Sequence, residues 1–560
     1  MLTDDRELWL THDHGKVWTR ALEDEEITAI YPNRYLNDAV YFIGPSSTVF
    51  YSKNRGYKLH SFEAPGRPNT ANLQVIRFHP KNHDWLIWTS CASSGRDCQP
   101  VASVTTKGGD AWEKLLGSVE NCEFIWRHER GGSEKLVYCV QHEDEDMSRS
   151  KQLIASDDWF EHKDVHFNDM LQFATMSEFI IVAAKTEDEQ QALRVDSSID
   201  GKTFAEAKFP SNFVVPHQSA YTVLDSSTHS IFLHVTVNDV EHQEFGSIIK
   251  SNSNGTSYVM SIAKVNRNKV GYVDFEKMLG LEGVAVVNIV ANAQQAEDGS
   301  TKKLKTMITH NDGAEWSAIT PPETDADDEK YECIGKDIDS CSLHLHGYTE
   351  RKDPRDTYSS PSAVGLMMGV GNVGEFLGRY KDGDTFVSQD GGITWRCAQK
   401  GQYMWEYGDQ GSIIVIVEEN TPTNHILYSR DEGTTWTEYE FSEEKMQIDD
   451  ISTVPSDTSM NFLLWGRDTT KRAKATTINI DFSGIVGEQC KLDENNPDTV
   501  ASDYELWQPR HPLQDDNCLF GHISEYHRKK LDRNCYNGPK IDRLHSVGRN
   551  CSCTRQDFEW

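Results

Sequence analysis

The fold of this chain is decided by the stretch Ser388-Gln389-Asp390-Gly391-Gly392-Ile393-Thr394-Trp395. Its pattern, Ser/Thr-x-Asp-x-Gly-x-x-Trp, returns at 429–436 and 11–18 and, with Asn311 in the aspartate place, at 309–316. Looser copies begin at Ser52, Thr105, Ser197 and Ser251, and 156–160 reads as a shortened copy without the glycine. A phrase that recurs every 40 to 55 residues or so is typical of a fold built as an array of similar units.

Each copy predicts the corner of a β-hairpin. Glycine supplies the positive φ that a tight turn needs, and the hydroxyl and carboxylate accept hydrogen bonds from the N–H groups of the turn. The aromatic residue is expected to fold beneath the turn as a small core. Residues 424–429 and 436–441, on either side of one copy, alternate in polarity as strands do.

The spacing of the copies predicts an all-β, about ten-bladed β-propeller, because a four-stranded blade needs roughly 40 to 55 residues. One blade can be read directly as strands at 27–31, 39–43, 48–51 and 57–62. The first copy follows the strand-like segment 8–10, so the first blade is either incomplete or completed by C-terminal strands, which would reduce the count to nine. We therefore expect 1–486 to form the propeller.

Charge and hydropathy restrict the partners. The 560 residues carry a formal net charge of −32, which argues against nucleic acid and anionic lipid and favours a basic or polar ligand. No apolar run is long enough to span a membrane, and the first five residues do not resemble a signal peptide. Together with the start inside a blade, this suggests a piece cut from a longer precursor.

Twelve cysteines indicate an oxidising compartment, and four of them fall after residue 517. Cys122 with Cys139 and Cys333 with Cys341 are positioned to bridge a hairpin and a loop. The connectivity of the rest stays open, and the candidates near the C-terminus are Cys518, Cys535, Cys551 and Cys553. Sequons at Asn254 and Asn550 fit a glycoprotein of the secretory route.

The repeats stop near residue 487, where an acidic, turn-rich linker begins. We expect 487–560 to be a small cysteine-rich module that depends on disulfides or on packing against the propeller. Its basic stretch 527–530 either lies against the acidic ring or is a solvated surface.

Several segments resemble the sortilin family of sorting receptors. They are 341–346 (CSLHLH), 360–374 (SPSAVGLMMGVGNVG), Phe78-His79-Pro80 with Asp84-Trp85-Leu86, and 550–559 (NCSCTRQDFE). The second of these precedes the copy of the repeated motif, called an Asp box from here on, that begins at Ser388. The resemblance covers nearly the whole chain and is nearest to fungal vacuolar sorting receptors. It implies a ten-bladed propeller with a cysteine-rich domain beneath it. Relatives continue with more cysteines, so part of that region is expected to be missing here.

The resemblance implies the luminal cargo-binding domain of a transmembrane receptor. Such a receptor carries soluble vacuolar or lysosomal hydrolase precursors or peptides from Golgi to endosome, and a homodimer is possible. Animal relatives place an arginine of a Leu-Arg-Gly stretch against the carboxylate of a bound peptide. This chain has Glu282 in the matching Leu281-Glu282-Gly283, and Glu282 cannot play that part.

We expect an extended cargo segment to bind in the propeller tunnel, along the first strand of each blade. The candidate lining segments 283–291 and 365–373 predict ligand contacts from Glu282, Val284, Val286, Asn288, Met368, Val370 and Asn372. Salt should weaken binding if basic groups of the cargo are recognised. His344 and His346 alternate on one strand, and we predict that they act as a switch for release at acidic pH.

Two other classes of function remain as alternatives. Asp boxes also occur in sialidases, so a glycoside hydrolase is one, although no carboxylate pair stands out by its spacing. An adhesion or dimerisation ectodomain without cargo is the other. The pattern predicts no enzyme, no cofactor and no metal, since the His344–His346 pair has no third ligand in a recognisable register.

Overall fold

A computed structural model describes residues 1–69, 75–91, 98–127, 132–143, 150–176, 178–185, 193–210, 221–225, 229–238, 240–350, 357–454, 457–467, 475–493, 500–510, 512, 517–538 and 545–552. Their regular secondary structure is almost entirely antiparallel β-sheet. The helical segments found among them are α1 (Ala293–Glu297) and two 3-10 turns, Tyr380–Asp382 and Asp409–Gly411. None of the described helices is long and apolar enough to cross a membrane.

The N-terminal strands form a two-stranded pair followed by two four-stranded meanders. The pair is β1 (Leu8–Leu10) and β2 (Thr19–Ala21). The first meander is β3 (Ala29–Pro32), β4 (Val40–Ile43), β5 (Thr48–Ser52) and β6 (His60–Glu63). The second is β7 (Ile76–Phe78), β8 (Leu86–Cys91), β9 (Pro100–Thr105) and β10 (Glu113–Gly117).

A seven-stranded sheet follows, and it counts as two units because one long strand serves both. Its strands are β11 (Val119–Phe124), β12 (Val137–His142), β13 (Lys151–Ser156), β14 (Asp164–Met176), β15 (Phe179–Lys185), β16 (Leu193–Ser198) and β17 (Ala205–Glu206). The first half of β14 pairs with β13, and its second half, from Met170 onward, pairs with β15. The last strand of one blade thus runs directly into the first strand of the next.

An eight-stranded path also divides into two units, at β21, which touches β23 only through the pair Val265–Ile289. Its strands are β18 (Tyr221–Asp225), β19 (Phe232–Thr236), β20 (Phe245–Ser251), β21 (Tyr258–Asn266), β22 (Phe275–Lys277), β23 (Ala285–Val290), β24 (Leu304–Thr309) and β25 (Ser317–Ala318). Strands β21 and β22 both pair with the same side of β23.

Three further sheets complete the ring. The first is β26 (Ser342–Leu345), β27 (Met367–Gly374), β28 (Asp384–Ser388) and β29 (Arg396–Gln399). The second is β30 (Tyr403–Gly408), β31 (Ile413–Glu418), β32 (His425–Ser429) and β33 (Thr437–Glu440). The third is β34 (Gln447–Ser452), β35 (Asn461–Arg467) and β36 (Ala475–Asp481).

The ring closes through side chains rather than through strand pairing. Trp18 Nε1 donates to Thr477 Oγ1 at 3.0 Å, and Lys16 pairs with Asp481 at 3.1 Å, so the β1–β2 pair lies beside the sheet that contains β36. Its other side shares an apolar core, built around Leu8 and Phe42, with the sheet β3–β6. The described part of the chain therefore forms ten units: the β1–β2 pair counts separately because it does not extend the sheet of β34–β36.

The repeated motif forms the expected turn. Ser388 Oγ accepts from the N–H of Gly392 at 2.9 Å and donates to Asp390 Oδ1 at 2.9 Å. The same oxygen of Asp390 accepts from the N–H of Thr394 at 2.9 Å, and Trp395 Nε1 donates back to the carbonyl of Gly392. The bonds recur with Ser429 and Asp431 and with Thr309 and Asn311, where the amide oxygen replaces a carboxylate oxygen.

The copy at Ser156 is not shortened, which corrects the sequence interpretation. Phe160 occupies the glycine place with φ of 67°, and its N–H donates to Ser156 Oγ at 2.9 Å. Asp158 accepts from the N–H of His162 at 3.0 Å, so the turn keeps its full length. Hydrogen bonds of the turn therefore hold a bulky residue in the left-handed region, where glycine is otherwise preferred.

Five disulfides are present in the described residues. Cys122 and Cys139 face each other directly on β11 and β12 and are bonded, and Cys333 is bonded to Cys341. The remaining pairs are Cys91–Cys98, Cys490–Cys535 and Cys518–Cys551. Cys397 is a free thiol. The candidate Cys553 lies outside the described residues.

The C-terminal residues form a separate three-stranded sheet of β37 (Tyr504–Trp507), β38 (His522–Lys529) and β39 (His545–Asn550). A buried carboxylate of the ring, Asp409, holds this module: it accepts from the N–H groups of Asn537 and Gly538, both at 2.8 Å. Arg528 of the predicted basic stretch donates to the carbonyl of Gln389 at 2.8 Å and pairs with Glu432. The module therefore packs on the turns of two Asp boxes.

Candidate binding cavity

A cavity of about 820 Å³ opens on the inner strands of the ring. Its walls are β30 and β34, each the first strand of its sheet, together with the segment 357–361 that precedes β27. Among the described residues, β30 pairs only with β31 and β34 only with β35. Each strand therefore turns one backbone edge away from its own sheet, and such edges accept an added strand.

Aromatic side chains of β30 line one wall of this cavity, namely Tyr403, Trp405 and Tyr407. Trp405 Nε1 donates to the carbonyl of Thr357 at 3.2 Å, and the Tyr407 hydroxyl donates to the carbonyl of Tyr358 at 2.8 Å. These bonds tie the polar ends of two rings to the neighbouring segment. The aromatic wall is thus fixed before a ligand arrives, which lowers the entropic cost of binding.

Acidic side chains dominate the charge of the cavity. Five carboxylates and one guanidinium are found among the described lining residues: Glu406, Glu419, Asp449, Asp450, Asp457 and Arg467. Arg467 and Asp449 form a bidentate pair, with both N–O distances 2.6 Å. The arginine among them is therefore engaged with one of the carboxylates, and the described lining carries more acidic than basic side chains.

Asp457 is the most deeply buried of these acids, with an exposed fraction of 6%. Its carboxylate accepts from the Ser362 hydroxyl at 3.0 Å and from the Ser360 hydroxyl. Burial disfavours the charged form more than these bonds favour it, and it raises the pKa of Asp457 to about 6. This carboxyl therefore changes charge in the range between neutral and mildly acidic compartments.

The two predicted switch histidines have different surroundings. His344 is fully buried: its Nδ1 accepts from the N–H of Thr306 at 3.0 Å, and its Nε2 donates to the carbonyl of Gly374 at 3.1 Å. Burial lowers the pKa of His344 to about 4, so this ring stays neutral at pH 5.5. That environment argues against His344 as a switch. His346 lines the cavity, and its Nδ1 bonds to the carboxylate of Glu350.

The predicted lining strands are not the first strands of their sheets, which corrects their assignment to the tunnel wall. Strand β23 lies between β22 and β24, and β27 lies between β26 and β28. Consequently Val284, Val286 and Met368 pack in apolar cores between sheets. Asn288 is buried and donates to the carbonyl of Leu345 at 3.0 Å.

Three of the predicted ligand residues have other positions. Val370 lies on the wall of the cavity, next to His346. Asn372 is half-buried and fixes a local loop, since its amide bonds the carbonyl of Phe376 and the N–H of Gly378. Glu282 is exposed and contacts Nε2 of His522, in the C-terminal module, at 3.2 Å. Both sequon residues, Asn254 and Asn550, are exposed.

Sequence reasoning missed β30 and β34 as the walls of the cavity. A signal was present: the segment 403–407 reads Tyr-Met-Trp-Glu-Tyr, and a pair of aspartates occupies 449–450. Tyr403, Trp405 and Tyr407 alternate along this first strand, and they line the cavity while also packing against the core shared with β27. Among the described residues no group of three or more His, Cys, Asp or Glu side chains is arranged to hold a metal.

The described residues define a class of protein: an Asp-box β-propeller with a docked, disulfide-bonded module and a cavity on its inner strands. Comparison of the sequence gives the family. A family model described as "Sortilin, neurotensin receptor 3" matches residues 6–451, and its C-terminal counterpart matches residues 453–560. The chain belongs to the sortilin family.

Curated relatives carry the name vacuolar protein sorting/targeting protein 10. The chain is 54% identical over 572 residues to that of Pyrenophora tritici-repentis, covering 100% of this chain and 38% of the relative. It is 55% identical over 570 residues to that of Blastomyces gilchristii, with the same coverage of 100% and 38%. The chain therefore spans about two fifths of the length of these relatives.

Solved structures resemble this one only distantly. The GH74 enzyme of Niastella koreensis has a TM-score of 0.30 and 10% identity, over 95% of this chain and 86% of that one. The β-propeller domain of the Trilobed protease from Pyrococcus furiosus has a TM-score of 0.26 and 9% identity, over 67% of this chain and 96% of that one. Neither likeness bears on function.

Proposed function

We propose that this chain is the luminal cargo-binding domain of a transmembrane sorting receptor. It binds soluble hydrolase precursors or peptides inside the propeller for transport from the Golgi to the endosome and vacuole. The observation that carries the proposal is the cavity on β30 and β34, where two first strands present backbone edges beside fixed aromatic rings. An extended segment gains affinity from backbone hydrogen bonds at such an edge and selectivity from the side-chain pockets beside it.

Membership of the sortilin family and the names of the curated relatives support this function. Those relatives are named for protein sorting and not for a reaction, so the domain is proposed to act by binding, without catalysis, cofactor or metal. The membrane anchor, a location in the Golgi and endosome lumen, glycosylation at Asn254 and Asn550 and a homodimer belong to the same proposal. So does the division into a propeller at 1–486 and a module at 487–560.

Release at acidic pH is proposed to involve Asp457 together with His346. The pKa of Asp457, raised to about 6 by burial, means that this carboxyl is charged at neutral pH and neutral in an acidic endosome. The other charged side chains on the same walls are Glu406, Glu419, Asp449, Asp450 and Arg467. Protonation of Asp457 therefore makes the cavity less negative as the compartment acidifies.

A titration with the propeptide of a vacuolar hydrolase tests the proposal. Tyr403→Ala removes a ring from the cavity wall, whereas Tyr439→Ala removes a ring of the same kind from β33, the outer strand of the same sheet, where Tyr439 is 50% exposed. We expect Tyr403→Ala to weaken propeptide binding at least about tenfold and Tyr439→Ala to leave it unchanged. Failure of every hydrolase propeptide to bind, or equal losses in both variants, would contradict cargo binding in this cavity.

A further inference from the structure

Asp457 is a buried carboxylate in the wall of the cavity, and no described cation lies against it. Its exposed fraction is 6%, and it forms no ion pair with any residue that the structure describes. A buried charge in a protein is ordinarily paired with an opposite charge or bound to a metal. Because this carboxylate lines a cavity that a ligand can enter, the ligand can supply the compensating charge.

The two oxygens of this carboxylate are in different situations. Oδ2 accepts from the hydroxyl of Ser362 at 3.0 Å and from the hydroxyl of Ser360, both on the segment that precedes β27. No group among the described residues donates to the other oxygen, Oδ1. Oδ1 is therefore left for a group that enters the cavity.

The two serines determine which kind of cation fits. A guanidinium binds a carboxylate best as a fork across both oxygens, and the hydroxyls of Ser360 and Ser362 already occupy one of them. An ammonium group is a compact charge that a single oxygen can hold. Each hydroxyl gives its one proton to Asp457, so its lone pairs remain to accept from the other N–H bonds of the ammonium. The site therefore favours a primary ammonium over a guanidinium.

The carboxylate is held in place before a ligand arrives. The N–H of Asp457 donates to the carbonyl of Val454 at 2.9 Å, and its carbonyl accepts from the N–H of Gln410 at 2.7 Å. These bonds fix the backbone on both sides of the side chain, and the two serines fix the carboxylate itself. A group that is already positioned costs little further entropy when it binds.

An apolar surface lies beside the same segment. Leu279 is 40% exposed and lines the cavity together with Pro361. The N–H of Leu279 donates to Ser359 Oγ at 2.8 Å, which places this side chain next to the segment that carries the two serines. The hydrocarbon stem that leads to an ammonium group can pack on Leu279 while the charge meets Asp457.

We infer that Asp457, with Ser360 and Ser362, binds a primary ammonium group of an extended cargo segment, either a lysine side chain or a free N-terminus. The inference rests on the proposed function, because it names the group by which the cavity selects its cargo. The ammonium donates to Oδ1 of Asp457 and to the serine oxygens. Because the carboxylate is buried, this charge-assisted contact contributes strongly to selectivity.

The test uses four alanine-rich hexapeptides and isothermal titration calorimetry with the whole chain at pH 7.5. The reference peptide is acetylated at its N-terminus and on its one lysine. A second peptide has the lysine free, a third has the N-terminus free instead, and a fourth is acetylated at its N-terminus and carries arginine in the lysine place. We expect the second or the third to bind at least about tenfold more tightly than the reference, and the one that gains identifies the source of the ammonium. The arginine peptide should gain less.

Asp457→Asn removes the charge and keeps the shape of the side chain. Asparagine tolerates the left-handed φ of 50° at this position, so the variant should fold, and an equal or higher thermal unfolding midpoint will verify this. The gain in affinity should disappear in Asp457→Asn. It should persist in the control Asp298→Asn, which changes an exposed aspartate after α1, outside the cavity.

The outcomes separate this inference from the proposed function. Equal binding of all four peptides, or a gain that survives Asp457→Asn, overturns the inference. An arginine peptide that binds as tightly as the tighter ammonium peptide overturns it too. A hydrolase propeptide that binds the wild type and Asp457→Asn equally overturns the inference but leaves cargo binding intact. Ammonium-selective binding by a domain that binds no hydrolase propeptide supports the inference and counts against the sorting function.

Discussion

At the scale of single residues, Asp457 illustrates how burial changes the chemistry of an ordinary carboxyl. Two serine hydroxyls donate hydrogen bonds to the carboxylate and stabilise its charged form. The loss of hydration on burial has the larger effect and raises the pKa to about 6. In the unfolded chain an aspartate titrates near pH 4 or so. The folded protein therefore binds the proton more tightly than the unfolded one, so the charged carboxylate destabilises the fold above pH 6 or so, and this cost disappears as the pH falls.

Asp457→Asn should consequently stabilise the protein at neutral pH and have little effect in acid. The two pKa values differ by about two units, which corresponds to at most about 3 kcal/mol of unfolding free energy at pH 7.5 and almost none at pH 4. Thermal unfolding of the wild type and the variant at both pH values measures this difference. Glu443→Gln, a change at an exposed acid, is the control. The same gain at both pH values would show that the ionised form of Asp457 is not the cause.

Residue-level predictions from sequence were good for turn residues and poor for titrating ones. Ser388, Asp390 and Gly392 play the parts that the pattern predicts, since those parts depend on residues a few positions away. The pKa of His344 is instead lowered by burial of the ring, beside Thr306 and Gly374, which are distant in sequence. Alternation along a strand indicates that two histidines share a face of the sheet. It does not indicate whether that face is exposed to solvent or buried, and His344 is a poor candidate for the switch because its face is buried.

At the scale of the turn and its flanking strands, the glycine of each box serves both backbone geometry and packing. Gly109, in the copy that begins at Thr105, has φ of 106°, and a Cβ added there would lie 2.4 to 2.8 Å from ring carbons of Phe62 on β6. The turn of one sheet is thus pressed against the preceding sheet. Gly401 has a similar φ of 89° but no atom within 4 Å of an added Cβ.

This pair of glycines allows strain and packing to be separated. Gly109→Ala and Gly401→Ala share the cost of alanine at positive φ, about 1–2 kcal/mol. Gly109→Ala should cost a further 1–3 kcal/mol or so, because Phe62 must shift within a packed core. Denaturant unfolding of both variants measures the difference. Equal losses of unfolding free energy would mean that the close approach of Gly109 to Phe62 does not constrain the fold.

Sequence predicted the existence of the hairpins better than their order. Every strand that flanks a well-formed box was expected, because the box marks the turn that joins the two outer strands. The boxes say nothing of which strand comes first in a sheet, so β23 and β27 were taken for inner strands although each has neighbours on both sides. Burial between two sheets explains the strongly apolar sequences of β23 and β27. The same residue types would also suit the wall of a tunnel, so the sequence alone does not distinguish the two positions.

At the scale of the whole molecule, the C-terminal module is attached to the ring by polar contacts around Asp409. The carboxylate accepts two backbone N–H groups of the module, and the amide of Asn537 donates to the Asp409 carbonyl at 2.6 Å. Both disulfides that hold the module, Cys490–Cys535 and Cys518–Cys551, join residues within 487–560. The described disulfides therefore do not clamp the module to the ring.

Asp409→Ala should weaken the docking of the module without opening the ring. Two buried N–H groups lose their acceptor, and each such loss costs about 1–3 kcal/mol. Hydrogen exchange should accelerate at least about tenfold at amides of β37 and β38, while amides of β31 and β35 keep their protection. Glu444→Ala, at an exposed position on the ring, is the control. Unchanged exchange in β38 would assign docking to the apolar contacts of Tyr526 and Trp507 instead.

The number of units could be predicted from sequence only to within one. Spacing of the boxes gave nine or ten, and the choice depended on whether the first hairpin joins the last sheet. Trp18 and Lys16 contact Thr477 and Asp481 from a separate unit, which settles ten for the described residues. Contacts between residues so far apart leave no local trace in a sequence, whereas the repeat itself does.

The self-contained hydrogen bonding of each box has a consequence for how such a ring changes over generations. The copy at Thr309 works with Asn311, and the copy at Ser156 works with Phe160 in the glycine place, while the other corners keep their geometry. Damage at one corner is thus confined to that corner, and a single lineage can accumulate substitutions blade by blade. Substitutions on the inner strands can therefore change which ligands the ring binds while the β-hairpin corners keep their structure.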